Sequence, residues 1–380
     1  MIYDVIVVGL GAMGGAAACH LARRGMRVLG LDRFTPPHAF GSSHGETRII
    51  REAYFEHPVY VPMVQRAYEL WRDLEKESGT TLLRETGGVM IGRPDSDLVK
   101  GARHSAELHG LRYQQLTASE AHAQFPALHP DNDMVAVWEP RAGVLFTDAC
   151  VTAHLALARR YGAELRYEES VLGWEPERNG IRVLTSHGET HARQLIVTAG
   201  AWISAFFPQL PLRIERQVLF WFSGPGTPGI FAPDRCPVHL WQFDGRRFFY
   251  GFPNLGSGVK VAFHHGGQTT AVDAVKREVE QAELEDIRRA LRRFVPAADT
   301  ELRATTVCMY TNTPDEHFWI GRDPRNSQVL IASACSGHGF KFSPVIGEIL
   351  ADLVQRKPPR FDLSLFNANR AIVNQTDLRR

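Results

Sequence analysis

Cysteine is scarce in this 380-residue chain. Cys19, Cys150, Cys236, Cys308 and Cys335 are the five, no two closer than 27 positions, with no CxxC pair. A set so odd and sparse excludes a disulfide framework and a structural zinc site, and leaves a buried small apolar residue as the ordinary reading of each. An excess of one charge is also missing. Lysine and arginine number 43 against 42 aspartates and glutamates, a formal net charge of +1, with no clustered basic run. Proteins that grip a phosphate backbone carry such an excess, so nucleic acid is excluded as an expected partner. No uncharged apolar run approaches the ~18–20 residues that cross a bilayer, so no membrane partner is expected either. The apolar start of the chain has no basic leader and carries Asp4 inside its apolar stretch, so it reads as structure and not as a signal segment. Repeats and low-complexity tracts are absent. What is there is ordinary globular material, 44% hydrophobic and 22% charged. At about 150 residues per domain the length points to two domains. The expectation is a soluble, cytoplasmic protein.

The first distinctive feature is local. Residues 2–8, IYDVIVV, form a nearly continuous β-branched run, as in a strand buried on both faces of a parallel sheet. Gly9-Leu-Gly11-Ala-Met-Gly14 follows at once, then a helix over Ala16–Arg24 ended by Gly25, then a strand over Arg27–Leu31 ending at Asp32. Strand, GxGxxG, helix, strand and acid stand at the spacing of one dinucleotide-binding βαβ unit. The first glycine allows the tight turn, the second lets a pyrophosphate approach, and the third lets helix and strand pack closely. Asp32 suits an adenosine ribose hydroxyl and repels a 2′-phosphate. The motif does not distinguish NAD from FAD.

A plain dehydrogenase of this type continues in regular βα units, and this chain does not. Residues 35–60 read as a long ordered loop plus helix entry, Tyr60–Glu77 as an amphipathic helix, and 151–171 as a helix then a strand. Leu195–Trp202 reads as a buried strand turning at Gly200. From about 212 the texture is aromatic and punctuated by glycine and proline, typical of antiparallel strands. A charged helix is expected over Asp273–Phe294, with Val275, Val279, Ile287 and Leu291 inward. Val329–Ala334 reads as a strand, Cys335–Gly339 as a glycine loop and Phe342–Val354 as a helix. The expected fold is α/β: a Rossmann-type nucleotide domain from residues 1–82, 145–211 and 322–380, with an antiparallel-sheet domain from 83–144 and 212–321 inserted into it.

Two-residue periodicity sorts the later strands. Val259, Val261 and Phe263 share one face, and Lys260, Ala262 and His264 share the other; Thr306, Cys308 and Tyr310 point together. Taken alone, the pattern favours a surface lysine at 260 and an exposed or internally satisfied histidine at 264.

Several unlinked motifs then stand in one order: Gly9–Gly14, Pro36-Pro37-His38, Gly41-Ser-Ser-His-Gly-Glu-Thr-Arg-Ile-Ile-Arg51, Tyr250-Gly-Phe-Pro253, Lys260 with His264, Cys308-Met-Tyr310, Asp315-Glu-His-Phe318 and Ser336-Gly-His-Gly-Phe-Lys-Phe342. With these the chain resembles, almost end to end, the monomeric sarcosine oxidase and N-methyl-tryptophan oxidase family of flavoenzymes. The resemblance implies FAD bound covalently through Cys308, a substrate carboxylate gripped by Arg51 and Lys341, and Lys260 at the flavin face where oxygen is reduced. It places His264, Arg48, Tyr250 and Tyr310 among the catalytic residues. The cofactor set it implies is Gly9, Gly11, Gly14, Asp32, Arg33, Ser42, His44, Arg48, Val171, Gly200, Cys308, Gly337, His338, Gly339 and Lys341. No metal is expected. The chain departs from the sarcosine oxidases at Ser43, Glu46 and Glu52, and the stretch Asp244–Arg247 is longer than the family's usual turn, which leaves the size of the pocket open.

The chemistry agrees with the resemblance. Oxidising an amine needs an acceptor for two electrons and a hydride equivalent, which a flavin provides and no side chain does. Arg51 offers a planar fork for a carboxylate and Lys341 a compact charge. The Gly337–Gly339 loop opens a helix whose N–H groups suit the flavin's pyrimidine edge. The expected activity is oxidative demethylation of N-methyl amino acids by O2, giving primary amino acid, formaldehyde and H2O2, by a monomer. Sarcosine is the first expected substrate, with N-methyl-tryptophan, pipecolate and proline behind it. An NAD-linked amino-acid dehydrogenase, or a flavoprotein kept as a binding or tRNA-modifying module, are the alternatives.

Overall fold

In the computed structural model, which describes residues 2–224, 229–367 and 370, the run Ile2–Val8 forms a strand of an eight-stranded sheet. The rest of the chain, including positions 371–380 of the expected nucleotide domain, lies outside the described residues. Ile2–Val8 pairs in parallel with Val28–Leu31 on one side and Gly188–Val197 on the other. Glu164–Arg166 and Asn326–Ser333 extend the parallel core outward. Antiparallel hairpins at Val171–Thr185 and Trp319–Ser333 finish the sheet. Val5, Ile6 and Val7 are fully buried, as strands covered on both faces require. Helices Ala12–Arg23, Thr147–Arg160 and Ser343–Val354 pack together over one face. The first and last of these approach so closely that a Cβ on Gly347 would lie 2.6 Å from the Ala16 carbonyl carbon.

The second sheet has nine strands and is antiparallel except where Val238–Phe243 meets Gly88–Gly92. Its long strands Arg213–Phe222 and Leu302–Asn312 pair along their length. A third, small sheet joins Thr47–Ile50, Leu83–Glu85 and Gly143–Phe146. The chain thus adopts the expected α/β class, a parallel Rossmann-like sheet with a largely antiparallel second one. The period-2 reading of Val259–His264 also holds. Val259 and Val261 pack with Ile287, Leu291 and Phe294, whereas Ala262 packs on the opposite face with Cys308. No helix among the described residues is long and apolar enough to cross a membrane.

Three local expectations need correction. The charged helix begins at Gln281, where Glu280 and Glu283 form a capping box, and not at Asp273. Upstream, Arg216 donates to the carbonyls of Lys276 (2.8 Å) and Glu278 (2.7 Å), which holds the segment in an irregular path. Val275 and Val279 still pack inward from that path. Residues 35–60 are not loop throughout, because Thr47–Ile50 pairs with Gly143–Phe146. The strand expected at Leu195–Trp202 ends at Val197, and Gly200–Trp202 is a turn of 3-10 helix.

Candidate active site

Gly9 ends its strand with φ +88°, a left-handed conformation that costs a side-chain-bearing residue and not glycine. A Cβ on Gly14 would lie 1.8 Å from the Gly9 carbonyl oxygen, so the third glycine serves helix–strand packing and does not reach the cavity beyond. Asp32 is buried and its two oxygens accept from the backbone N–H groups of Leu10 (2.7 Å) and Phe34 (2.8 Å). Burial raises its pKa, and those N–H groups and His38 act against the rise. The guanidinium of Arg33 lies over the rings of Phe34 (4.9 Å) and Trp202 (5.3 Å).

One continuous cavity runs from this end, past Gly11, Ser42, Val171 and Gly200, to the antiparallel sheet. Cys308 lies on its wall. Its Sγ is 3.5 Å from Arg48 Nη2, and the same nitrogen donates to the Ser42 carbonyl at 2.9 Å. Ser42 Oγ in turn donates to the Met309 carbonyl (2.7 Å), tying the Gly41–Gly45 loop to the Cys308 strand. Cys19, Cys150 and Cys236 are buried away from the cavity, and burial pushes their thiols up, Cys19 to about 11 and Cys236 to about 12. They fit the ordinary reading of a small apolar residue.

At the far end the cavity is lined by Arg51, Tyr250, His264, Tyr310, Lys341 and the loop Gly337–Gly339. Gly337 (φ +75°) must be bare, since a Cβ would lie 2.6 Å from the Tyr310 ring and 2.8 Å from His264. Gly339 is equally constrained, since a Cβ there would lie 1.7 Å from the Ala334 carbonyl oxygen. Lys341 is buried and donates to the His338 carbonyl (2.7 Å), with the Tyr54 hydroxyl at 3.5 Å. Burial and the Arg51 charge bring its pKa down to about 7. Arg51 is paired with Glu56, whose pKa burial raises but the Arg51 charge, with that of Lys341, brings below its ordinary value. His338 Nε2 faces the Glu316 carbonyl (3.0 Å) and must carry the proton, so Nδ1 accepts from Tyr54 at 2.6 Å. His264 Nδ1 lies 3.3 Å from the Tyr310 hydroxyl, and burial with the surrounding cations drives its pKa well below the usual value. It is a neutral imidazole at a cationic end.

Not every expected residue reaches this cavity. Gly14, His44 and Lys260 do not line it. Lys260 is buried, against the surface reading its strand pattern favoured. Its ammonium donates to the carbonyls of Gly45 (2.6 Å) and Thr47 (2.8 Å) and to Thr47 Oγ1 (3.1 Å), and lies 4.6 Å from the Phe252 ring centroid. Burial, then the Arg48 charge, holds its pKa well below the lysine range. It buckles the loop that carries Arg48. The stretch Asp244–Arg247, which left the pocket size open, lies elsewhere: Asp244 pairs with Arg293 (2.9 Å) and Arg247 with Asp286 (2.6 Å) on helix Gln281–Phe294.

The sequence reading passed over Glu56, Trp202, Leu240, Phe252, Ser333 and Cys335, all on the cavity wall. For Cys335 a signal existed, its place next to the Ser336–Phe342 motif. For Leu240 the signal is the register that sets it opposite Tyr250.

Residues 4–353 match the family described as FAD dependent oxidoreductase. The chain is 44% identical to a monomeric sarcosine oxidase of Streptomyces avermitilis, over 97% of each protein. It is 34% identical to an N-methyl-L-tryptophan oxidase of Salmonella heidelberg, over 97% of this chain and 99% of that one. Among solved structures it superposes on NikD, described as an unusual amino acid oxidase essential for nikkomycin biosynthesis, with a TM-score of 0.83, 23% identity and 98% of each chain covered.

Proposed function

The chain belongs to the FAD dependent oxidoreductase family, among enzymes of the sarcosine oxidase type, and from that premise we propose that it oxidises N-methyl amino acids, sarcosine first. The observation that carries this reading is the convergence of Arg51 and Lys341 on one end of the cavity, beside His264, Tyr250 and Tyr310. Two buried cations at the end of a mostly apolar cavity suit a small carboxylate. The NAD-linked and tRNA-modifying alternatives give way to the family.

The cavity fits FAD on its own evidence. Trp202 Nε1 and Ser333 Oγ are buried without a partner on residues that line it, and Gly11, the N-cap of helix Ala12–Arg23, lines it with no side chain of its own, the Ala12 N–H being met by Ser43 Oγ at 3.2 Å. Asp32, Arg33, Val171 and Gly200 would hold the adenosine end, and Gly11 and Ser42 the pyrophosphate. Arg48, Cys308, Gly337, His338 and Gly339 would hold the ring system. When bound, the flavin supplies the acceptor for two electrons and a hydride equivalent. Arg51 and Lys341 orient the substrate by its carboxylate. His264, neutral at neutral pH, can take the proton that a cationic amine must lose before oxidation. The aromatic groups Tyr250, Phe252 and Tyr310 exclude water from the reacting amine. Oxidation at the N-methyl carbon gives an N-methylene imine, whose CH2=N bond water splits to formaldehyde and the primary amino acid, and O2 becomes H2O2. Attachment of the flavin through Cys308 is supported by its thiol on the cavity wall beside Arg48. The two-domain division read from the sequence goes with this proposal, as does a monomeric enzyme.

A peroxide-coupled screen of sarcosine, N-methyl-tryptophan, pipecolate and proline tests the activity; no H2O2 from any of them overturns it. Acid-precipitated protein should stay yellow, and Cys308→Ala should release its colour. Flavin wholly in the wild-type supernatant overturns the covalent link.

A further inference from the structure

Two partly exposed rings stack beside the substrate end, behind residues that line it. Phe55 lies four residues after Arg51, and Phe248 stands two positions before Tyr250 on strand Arg247–Gly251, hence on the same face. The rings are stacked, with centroids 5.8 Å apart and planes 18° from parallel. Each is tied to a residue of the cavity wall. The Arg51 guanidinium lies 4.8 Å from the Phe55 centroid, and Phe248 meets His264 edge-on at 6.4 Å. Arg51 and His264 come from different segments and both face the cavity. The ring pair therefore links one wall residue to the other, and both rings are more exposed than the buried Arg51 and His264 they touch.

The backbone under Phe55 is clamped. A Cβ on Gly101 would lie 2.3 Å from the Phe55 carbonyl oxygen and 2.9 Å from its Cα, so helix Asp97–Leu108 rests directly on this turn. Glu139 takes the N–H groups of Glu52 (2.8 Å) and Ala53 (2.6 Å), and Ser105 donates its hydroxyl to the Tyr54 carbonyl. The rings can be displaced only by breaking the stack.

We infer that the Phe55–Phe248 stack is the size filter of the substrate site, admitting a carboxylate ligand with little or no side chain and turning away one with an aromatic side chain. This rests on the proposed function for the nature of the substrate. A carboxylate held at Arg51 brings its α-carbon next to the guanidinium, and the guanidinium is already in contact with Phe55. Any α-substituent directed outward meets the two rings first. Sarcosine has none; an indolylmethyl group is about the size of the ring it must displace.

The test is binding of two carboxylates to the holoenzyme, acetate and indole-3-acetate, read from the change in flavin absorption. In Phe55→Ala and Phe248→Ala the Kd of indole-3-acetate should fall about tenfold or more, the scale on which pocket-filling groups discriminate, while that of acetate changes less than about threefold. Phe55→Leu and Phe248→Leu keep an apolar side chain in place if a truncation does not fold, and should give a smaller shift of the same sign. An unchanged ratio in all soluble variants overturns the filter. Parallel loss of both ligands overturns it too, because the rings then serve only to hold Arg51. Binding is measured without turnover, so a wild type that oxidises no N-methyl amino acid would refute the proposed function and leave this result standing.

Discussion

Arg51 and Glu56 meet through a single guanidinium nitrogen: both carboxylate oxygens lie 2.7 Å from Nη2, while Nη1 donates to the Ala53 carbonyl at 3.0 Å. Arg51 is buried and Glu56 largely so, and Tyr54 and Phe55 lie against the guanidinium at 4.3 and 4.8 Å. The charge assigned to a substrate carboxylate is thus already met by an anion of the chain. Lys341, by contrast, donates to neutral oxygens. A ligand carboxylate can approach Lys341 freely but must compete with Glu56 for Arg51.

Neutralising that competitor should tighten binding. In Glu56→Gln the Kd of a simple carboxylate such as acetate is expected to fall about tenfold, roughly 1.4 kcal/mol, because a charge-assisted contact no longer has to be exchanged. Titration of flavin absorption in wild type and variant measures it. Weaker binding in the variant would mean that Glu56 positions Arg51 for the ligand and does not oppose it.

Lys341 gives a pH dependence whose sign is fixed. Its pKa is brought down to about 7, so the ammonium is present below that value and lost above it. Carboxylate affinity should therefore fall as pH rises through about 7, with a proton taken up on binding above it. The same depression makes the ligand-free fold gain stability between about pH 7 and the ordinary lysine value near 10.5, where the unfolded chain still holds the proton. Lys341→Met should flatten both profiles. An acetate Kd that stays constant across neutral pH in the wild type would remove Lys341 from the clamp.

These relationships mark the limit of what the sequence discloses. The Gly9–Asp32 unit is legible because strand, turn, helix and acid are neighbours in the chain and each needs a particular residue type. The faces of Val259–His264 and Thr306–Tyr310 are legible because strand periodicity is exact over a few residues. The partners of Lys260 are not, since two of the three are backbone oxygens at Gly45 and Thr47 that any residues there would offer, and the third, Thr47 Oγ1, is brought to it only by the fold. The Glu56 pair and the Phe55–Phe248 stack depend on how one turn is folded against a distant strand. Val275 and Val279 mimic a helical stripe, but the fixing contacts come from Arg216 on another strand.

Lys260 has two readings that kinetics can separate. As a fixed cation near the flavin it would favour the first electron transfer to O2, which creates an anion, and would matter little to amine oxidation. As the buckle of Gly45–Thr47 it would support Arg48 and hence both half-reactions. The proposed role predicts for Lys260→Met a reoxidation slower by about a hundredfold or more, with reduction by substrate within about tenfold of wild type. Stopped-flow traces of each step decide the matter. Equal losses in both, with a fall in Tm, would make the lysine a structural buckle.

Glu139 carries the last prediction. It is buried, and its two oxygens hold the backbone N–H groups of Glu52 and Ala53, the residues directly after Arg51. Burial pushes its pKa up to about 7 despite those donors and the nearby Arg51 charge. An acid with a raised native pKa keeps its proton more readily folded than unfolded. Its ionisation therefore removes stability as pH rises from about 4.5, the unfolded value, to about 7. Glu139→Gln removes this slope but puts an N–H2 group where two donors need acceptors, so one N–H is left unpaired at a cost of about 1–3 kcal/mol. The turn bearing Arg51 should loosen. The variant should show a raised KM for an amino-acid substrate with kcat largely kept, and urea midpoints that vary less between pH ~5 and ~7 than those of the wild type, whose fold loses stability across that window. A wild-type midpoint that rises across it would show that the donors, and not burial, govern this carboxylate. A change in kcat without one in KM would show that Glu139 acts on the chemistry and not on the grip of Arg51.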